Sequence, residues 1–249
     1  MTMELQGKVA LVTGSSKGLG RAIVLRLAEL GADVVINYSR DRAAGDEVRK
    51  AAEEHGVRGL VVQADVSQVD GIQQLFDAAV AEFGKIDVVV ANAGMEKVNV
   101  PVTEVTEEDF DLLFRVNTKG PYFVMREAAR RIADGGRIIN ISSNTITVPQ
   151  LGVGLYGTSK VANSYLARVL ALELGPRGIT VNTVVPGPID HAGIFTDPAN
   201  DDYKKSLVAT IPIGRLGTAD DVAAVAAFLA GDGGGLITGQ NIVCDGGMH

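Results

Sequence analysis

The chain is 249 residues long, 46% hydrophobic and 21% charged, with 30 glycines, no tryptophan and a formal net charge of −7. This length admits one large α/β domain with a substantial buried core. The acidic balance argues against a nucleic-acid partner and against a membrane surface recognised through basic residues, and it favours solubility.

Lys8 to Thr13 reads as a buried strand running directly into Gly14-Ser15-Ser16-Lys17-Gly18-Leu19-Gly20. A helical pattern follows from about Arg21 to Leu30 and is closed by Gly31. Strand, glycine loop and helix in succession aim backbone N–H groups and a helix N-terminus at a phosphate. The spacing is Gly-x-x-x-Gly-x-Gly, not the commoner Gly-x-Gly-x-x-Gly, and three glycines here also fit a plain tight turn. Asp33 to Asn37 is a second strand, followed by a helix from about Asp41 to His55. Arg58 to Gln63 is the third strand, and Ser67 is the expected cap of the helix after it, about Val69 to Phe83. Ile86 to Ala91 is the fourth strand.

Thr106-Glu107-Glu108-Asp109 opens the next helical region as a capping box with Asp in the acidic place. That helix is expected to continue, bent near Gly120-Pro121, to Ala133. Arg137 to Ile141 forms the fifth strand, Tyr156 to Leu174 a helix ending at Gly175-Pro176, and Ile179 to Val184 the sixth strand. From Pro186 to about Thr210 the residues follow no strong period, and the stretch reads as a partly helical insertion of the length that lids and binding segments have. A plain surface excursion is the alternative. Thr218-Ala219-Asp220-Asp221 caps a last apolar helix to Ala230, and Gln240 to Val243 is a seventh strand.

Val/Ile/Ala runs alternating with helical segments indicate a parallel sheet covered on both faces. Right-handed crossovers make a doubly wound, seven-stranded α/β sheet of the Rossmann type the expected fold. No Pro/Ser-rich linker divides the chain, so residues 1–249 are expected to form a single domain with an insertion at about 187–210. Cys244 is the only cysteine. With no intramolecular disulfide possible, a reduced, cytoplasmic compartment is the simplest expectation, and the run Ile242-Val243-Cys244 suits a core residue better than a nucleophile. His55, His191 and His249 are scattered, and no metal site is expected. Met1 to Lys8 lacks the apolar region of a signal peptide, and the apolar helical run Val222 to Ala230 is too short to span a bilayer.

In an open parallel sheet, ligands bind beyond the carboxyl ends of the strands, near the point where strand order reverses. Those ends carry Gly14 to Gly20, Asn37 to Arg40, Asp65-Val66, Asn92-Ala93-Gly94, Ser142-Ser143 and Pro186-Gly187. The helix that Tyr156 opens begins soon after Ser143, so one crevice can hold them all. Tyr156 and Lys160, four residues apart, share a helix face. A free phenol titrates near pH ~10, and a cation within about 4 to 6 Å can lower that by roughly 1 to 3 pH units, toward the range of a working proton donor. Taken alone, such a pair also occurs by chance on surface helices.

Thr13-Gly14-x-x-x-Gly18-x-Gly20, Asp65, Asn92-Ala93-Gly94, Asn117, Ser143, Tyr156-x-x-x-Lys160 and Pro186-Gly187 stand together in one order over nearly the whole chain. On these motifs the chain resembles the single-domain short-chain dehydrogenases/reductases, in pattern most like 3-oxoacyl carrier-protein reductases and related ketoreductases. The resemblance implies that Tyr156 protonates the substrate oxygen as hydride arrives from a nicotinamide. It implies that Lys160 binds the nicotinamide ribose and lowers the phenol pKa, that Ser143 hydrogen-bonds the substrate oxygen, and that Asn117 holds a water linking the lysine to solvent. Ser142 competes for the serine role, but the thirteen-residue step from Ser143 to Tyr156 matches the family. By the same resemblance the dinucleotide is held by Gly14, Ser16, Lys17, Gly18, Leu19, Gly20, Ser39, Arg40, Asp65, Val66, Asn92, Ala93, Gly94, Tyr156, Lys160, Pro186, Gly187 and Ile189. A homotetramer paired through the long helices before and after the fifth strand is implied as well.

Coenzyme choice is argued from charge. NAD-binding sheets place a carboxylate at the end of the second strand, whereas Asn37-Tyr38-Ser39-Arg40 contains none. Arg40 and Lys17 offer two cations to a 2′-phosphate, so NADP(H) is preferred while NAD(H) stays open. Asp41, the nearest acid, reads as a helix opener. Met95–Val100, Asn144–Leu155 and Ala192–Thr210 are expected to line the substrate pocket, with Leu151, Val153, Leu155 and Phe195 as apolar contacts or simple packing. His191 stands where many relatives carry threonine, and reads either as a pocket imidazole or as a loop residue facing water. The expected reaction is NADPH-dependent reduction of a ketone or other carbonyl. Oxidation of a sugar or polyol, and a non-catalytic NADP(H) sensor or scaffold, are the alternatives. A carrier-protein substrate would need a basic docking patch, for which Arg130, Arg131 and Arg177 are available.

Overall fold

Short β-branched runs too apolar to face water on either side must be covered twice, and the chain does this with helices on both faces of one sheet. The structure, a computed structural model, describes residues 4–196 and 201–248. Among these, seven strands form a wholly parallel sheet: β1 (Val9–Val12), β2 (Asp33–Tyr38), β3 (Gly59–Gln63), β4 (Val88–Ala91), β5 (Arg137–Ile141), β6 (Thr180–Pro186) and β7 (Asn241–Cys244). Their order is β3-β2-β1-β4-β5-β6-β7, the expected doubly wound sheet, and it reverses at β1, where Val12 sits between Ile36 of β2 and Val90 of β4.

The helices are α1 (Gly18–Glu29), α2 (Arg42–Glu53), α3 (Val69–Phe83), α4 (Glu107–Phe114), α5 (Gly120–Arg131), α6 (Gly154–Leu174), α7 (Asp201–Val208) and α8 (Ala219–Ala230). Successive residues of β1 point to opposite faces and so belong to two cores. Val12, with Ile36 and Val90, packs against Ile23 and Leu27 of α1 and Val222 and Ala226 of α8. Leu11, with Val35 and Val89, packs against Phe76 of α3, Met125 of α5 and Leu170 of α6. No helix among the described residues is long and apolar enough to cross a membrane.

Local departures from the sequence reading have local causes. Ser67 does not cap α3: the N-cap position is Gln68, without a side-chain cap bond, and the Ser67 N–H instead donates to Asp65 Oδ1 at 2.9 Å in a turn that belongs to Asp65. The bend expected at Gly120-Pro121 is a π-turn over Arg115–Lys119, which joins α4 to α5 with one residue more per turn than an α-helix. α5 stops at Arg131, short of Ala133, because Ile132 turns extended to bury its side chain, 2% exposed. β6 runs on to Pro186 through pairing of Val185 and Pro186 with Val243 and Cys244. Within the insertion lie a 3-10 turn, Gly193–Thr196, and α7, while 197–200, part of the expected pocket lining, fall outside the described residues, as do 1–3 and 249.

The end of the insertion is anchored by the cap of α8. The Thr218 N–H donates to Asp221 Oδ2 at 2.8 Å, the Asp221 N–H donates to Thr218 Oγ1 at 3.2 Å, and Arg215 Nη1 reaches Asp221 Oδ2 at 2.7 Å. Arg215 first, then the Thr218 backbone, hold the Asp221 carboxyl well below the ordinary carboxylate range. A depressed folded-state pKa means that this contribution is present above pH ~4 and is withdrawn on acidification below it. Thr218→Ala is expected to lower stability by about 1 kcal/mol at neutral pH, measured by urea denaturation, and an unmoved midpoint would show that the box contributes nothing.

Candidate active site

The glycine loop is shaped by side chains that consume its backbone polarity. The Gly14 N–H donates to Asn37 Oδ1 and the Ser15 N–H to the Asn37 carbonyl, each at 2.9 Å, while Ser15 Oγ donates to the Val12 carbonyl at 2.7 Å. Thr13 Oγ1 accepts from the N–H groups of both Asn92 and Ala93 at 3.0 Å, and Asn92 Nδ2 donates to the Thr13 carbonyl at 2.9 Å. The carboxyl ends of β1, β2 and β4 are thereby tied into one rim. Gly20 closes it: a Cβ there would overlap the Gly14 carbonyl and come within 2.5 Å of Asn92 Nδ2, so the first turn of α1 can approach only as glycine. Lys17 and Gly18 stand exposed at the helix start, with backbone donors and the positive helix end available to an anion. This cradle fits a dinucleotide pyrophosphate.

At the end of β2, Ser39 and Arg40 are exposed, and Lys17 stands on the other lip of the crevice. Neither Arg40 nor Lys17 has an ion-pair partner among the described residues. Asp41 does not compensate them, because Asp41 Oδ1 accepts from the Ala44 N–H at 3.0 Å as the N-cap of α2. Asp65 lies exposed at the end of β3, and Val66 follows it, half-buried, with its carbonyl facing Gly120.

Asn117, 1% exposed, sits on the π-turn. Its carboxamide clamps the backbone of Met95 from both sides, accepting from the N–H and donating to the carbonyl at 2.8 Å each, and also donates to Ser159 Oγ at 3.1 Å. Its backbone carbonyl accepts from Asn163 Nδ2 at 2.9 Å. Lys160 is buried at 7% exposure, and its ammonium makes one long bond, 3.4 Å, to the Ile141 carbonyl at the end of β5. A Cβ on Gly94 would lie 3.0 Å from Lys160 Nζ and 3.3 Å from Asn117 Oδ1, which places the Asn92-Ala93-Gly94 turn directly beside both.

Tyr156 and Lys160 do meet, with Nζ 5.9 Å from the ring centroid. The expected acidification of the phenol is corrected, however. Burial, and next the charge of Glu96, push Tyr156 above its ordinary value, and a hydrogen bond with Ser143 opposes them only in part. Burial pushes Lys160 down to about 8, opposed by Glu96. Burial of the phenol thus outweighs any lowering by the neighbouring ammonium. Ser143 is half-exposed and its Oγ accepts from the Thr145 N–H at 3.3 Å, whereas Ser142 is 5% exposed and donates to the Lys160 carbonyl at 3.3 Å. Ser143 therefore faces the tyrosine, and Ser142 ties α6 to β5.

Pro186, Gly187 and Ile189 stand at and just beyond the carboxyl end of β6. Gly187 lies against the backbone of Asp245, and Pro186 ends β6. Ile189 is 7% exposed, bridged to Gly217, with its side chain in the core, so a dinucleotide would meet only its backbone. His191 resolves to the water-facing alternative, its side chain 87% exposed. Val153 and Leu155 are buried, and Leu151 is fully exposed. Arg131 pairs with Asp77 and Glu127, Arg177 with Asp134, and Arg130 lies 3.9 Å from Glu127, so the three do not form a free basic patch. Burial, then Asp245 and Asp221, push the Cys244 thiol up to about 11, which makes it inert as a nucleophile. No group of His, Cys, Asp and Glu able to hold a metal ion occurs among the described residues.

Glu96 lies in the Met95–Val100 stretch expected to line the pocket, but the sequence did not single it out. It follows the Met95 backbone that Asn117 clamps, and its Oε2 accepts from the Ile194 N–H at 2.9 Å. Its charge acts on Tyr156, Lys160 and Tyr203 at once. Its place two residues after Gly94 was the available signal.

Residues 14–249 match the family model described as Enoyl-(Acyl carrier protein) reductase. An NADPH-dependent aldehyde reductase-like protein of the Arabidopsis thaliana chloroplast is 41% identical, over 98% of this chain and 95% of that protein. A versicolorin reductase of Emericella nidulans is also 41% identical, over 98% and 96%. A short-chain dehydrogenase from Burkholderia cenocepacia in complex with NADP superposes with a TM-score of 0.91 at 39% identity, covering 98% of this chain and 99% of that one.

Glu96→Gln removes the anion that favours the Lys160 ammonium, so the lysine titration midpoint is expected to fall below that of the parent protein. NMR of labelled lysine side chains, assigned with Lys160→Arg, reads this directly, and a midpoint that stays or rises would disprove the coupling.

Proposed function

The chain belongs to the short-chain dehydrogenase/reductase family and is an oxidoreductase, and from that premise we propose that it reduces a ketone or other carbonyl to the alcohol with NADPH. The observation that carries the reading is the convergence in one crevice of Tyr156, Ser143 and the buried Lys160 with a glycine loop flanked by two uncompensated cations. When bound, the dihydronicotinamide supplies hydride to the carbonyl carbon. Gly14, Ser16, Gly18, Leu19 and Gly20 would hold the pyrophosphate, Arg40, Lys17 and Ser39 the 2′-phosphate, and Asp65 and Val66 the adenine side. The turn Asn92-Ala93-Gly94 and the backbone of Pro186, Gly187 and Ile189 would hold the nicotinamide side.

The Tyr156 phenol gives its proton to the oxygen on which negative charge develops, and Ser143 donates a hydrogen bond to the same oxygen. Lys160 orients the ribose and restores the tyrosine's proton. Asn117 holds the Met95 turn and the Ser159 end of α6 in register, and would hold the water that links Lys160 to solvent. An environment that keeps the phenol protonated suits the reductive direction, which begins from the neutral donor. Oxidation of a sugar or polyol would begin from phenolate, the form that burial and Glu96 both disfavour. Both relatives are named as reductases, which supports the same direction.

Preference for NADP(H) over NAD(H) rests on Lys17 and Arg40, and the NADP held by the Burkholderia protein supports it. We further propose a homotetramer, which the exposed Tyr165 and Leu172 of α6, Tyr122 of α5 and Phe110 of α4 support as faces to be covered, in a cytoplasmic setting suited to the single free thiol. Sedimentation velocity tests the tetramer.

Tyr156→Phe is expected to lower kcat by at least ~100-fold while NADPH affinity, read by quenching of its fluorescence, stays within about threefold. Retention of more than about a tenth of the parent kcat would refute the proton-donor role. Arg40→Asp is expected to shift the NADPH:NADH ratio of kcat/KM toward NADH by at least about tenfold, and an unchanged ratio would remove Arg40 from the 2′-phosphate site.

A further inference from the structure

Glu96 is an acid placed where carbonyl reduction itself requires none. Its backbone position is set, since the preceding residue, Met95, is clamped on both its N–H and its carbonyl by Asn117. Its side chain is set as well, because Oε2 accepts from the Ile194 N–H on the 3-10 turn of the insertion, and a Cβ on Gly193 would overlap that oxygen. Gly193 has φ +54, so both the left-handed backbone and the space for the carboxylate call for glycine there. Oε1 has no hydrogen-bond partner among the described residues. Although the residue as a whole is exposed, its carboxyl is shielded enough that burial raises its pKa, opposed by the Ile194 N–H and Lys160.

Three groups of the crevice feel this charge: the Tyr156 phenol, the Lys160 ammonium and the Tyr203 phenol. Glu96 lies two residues after Gly94, which adjoins Lys160 Nζ, and so stands beside the place where Tyr156 would hold a carbonyl. Next in the chain to the Ile194 N–H that Glu96 accepts from, the Phe195 ring stacks on that of Tyr203 at 6.1 Å with 14° between their planes, and Tyr203 is 39% exposed, a flat surface available to the body of a ligand.

We propose that Glu96 is the specificity-determining residue of this site, accepting through Oε1 a hydrogen bond from a hydroxyl group close to the reacting carbonyl and rejecting substrates with a carboxylate at that place. The inference rests on the carbonyl-reductase reading of the same crevice. Glutamine separates the charge from the shape. Its amide oxygen can keep the Ile194 bond, but its NH₂ then stands where Oε1 stood and cannot accept from a hydroxyl.

The test uses three probes of one shape: α-hydroxyacetophenone, its methyl ether, and phenylglyoxylate. Dissociation constants are measured by ligand-observed NMR on the full-length protein saturated with NADP⁺, for the parent and for Glu96→Gln, with NADPH turnover of the same probes followed in parallel. The parent is expected to bind the hydroxyketone at least about tenfold more tightly than either analogue, the fold-change of one hydrogen bond to a charged acceptor. In Glu96→Gln the preference over the methyl ether is expected to shrink to within about threefold, and the penalty on phenylglyoxylate to fall by about tenfold or more. The proposal is overturned if the parent shows no preference, or if Glu96→Gln keeps the parent's order and spacing. Should the binding preferences follow Glu96 while no probe, nor any other carbonyl, is turned over, the assignment of Glu96 stands and the reductase reading falls.

Discussion

Burying the Lys160 ammonium with a single long hydrogen bond to Ile141 is the constraint that the rest of the site is arranged around. A charged amine out of water is costly unless it is paired and fully hydrogen-bonded, and here no ion pair meets it among the described residues. The chain reduces the cost in two ways. It lets the lysine titrate near 8, so that the proton is held loosely, and it places the Glu96 carboxylate within electrostatic reach. Hydroxyl acceptors brought by a ligand would complete the remaining donors, which gives the site a physical reason to bind before it reacts.

The geometry around that lysine is built mostly from backbone held by amides and hydroxyls. Asn117 grips Met95, Asn37 grips the loop after β1, and Thr13 and Asn92 grip each other across β1 and β4. These bonds join segments 22 to 79 residues apart in the chain. Their donors and acceptors are at least partly buried, and such groups are costly to leave unpaired. The π-turn serves the same end, since the additional residue rotates Asn117 toward Met95 while α4 and α5 remain one continuous path.

The two acid-base groups are pushed apart by their surroundings, the tyrosine toward the protonated phenol and the lysine toward the neutral amine. Both shifts favour transfer of a proton from the Lys160 ammonium to the phenolate that would remain once Tyr156 had donated, so the pair runs downhill in that one direction. Glu96 acts on both, and it also accepts from the Ile194 N–H on the 3-10 turn after β6.

Much of this was legible along the chain. Period, strand length and glycine spacing determined seven parallel strands and their helices, because burial on two faces and close backbone approach leave few residue types eligible; Thr218 and Asp221 as a cap, and Tyr156 and Lys160 on one helix face, follow from local geometry alone. What only the tertiary structure decided are quantities set by residues distant in sequence. The direction of the Tyr156 shift depends on burial and on Glu96, sixty residues away. The pairing of Arg130, Arg131 and Arg177 with acids, and the turning of Ile189 into the core, depend on which elements become neighbours. Electrostatic and desolvation energies sum over everything nearby in space, and a sequence orders residues only by their distance along the chain.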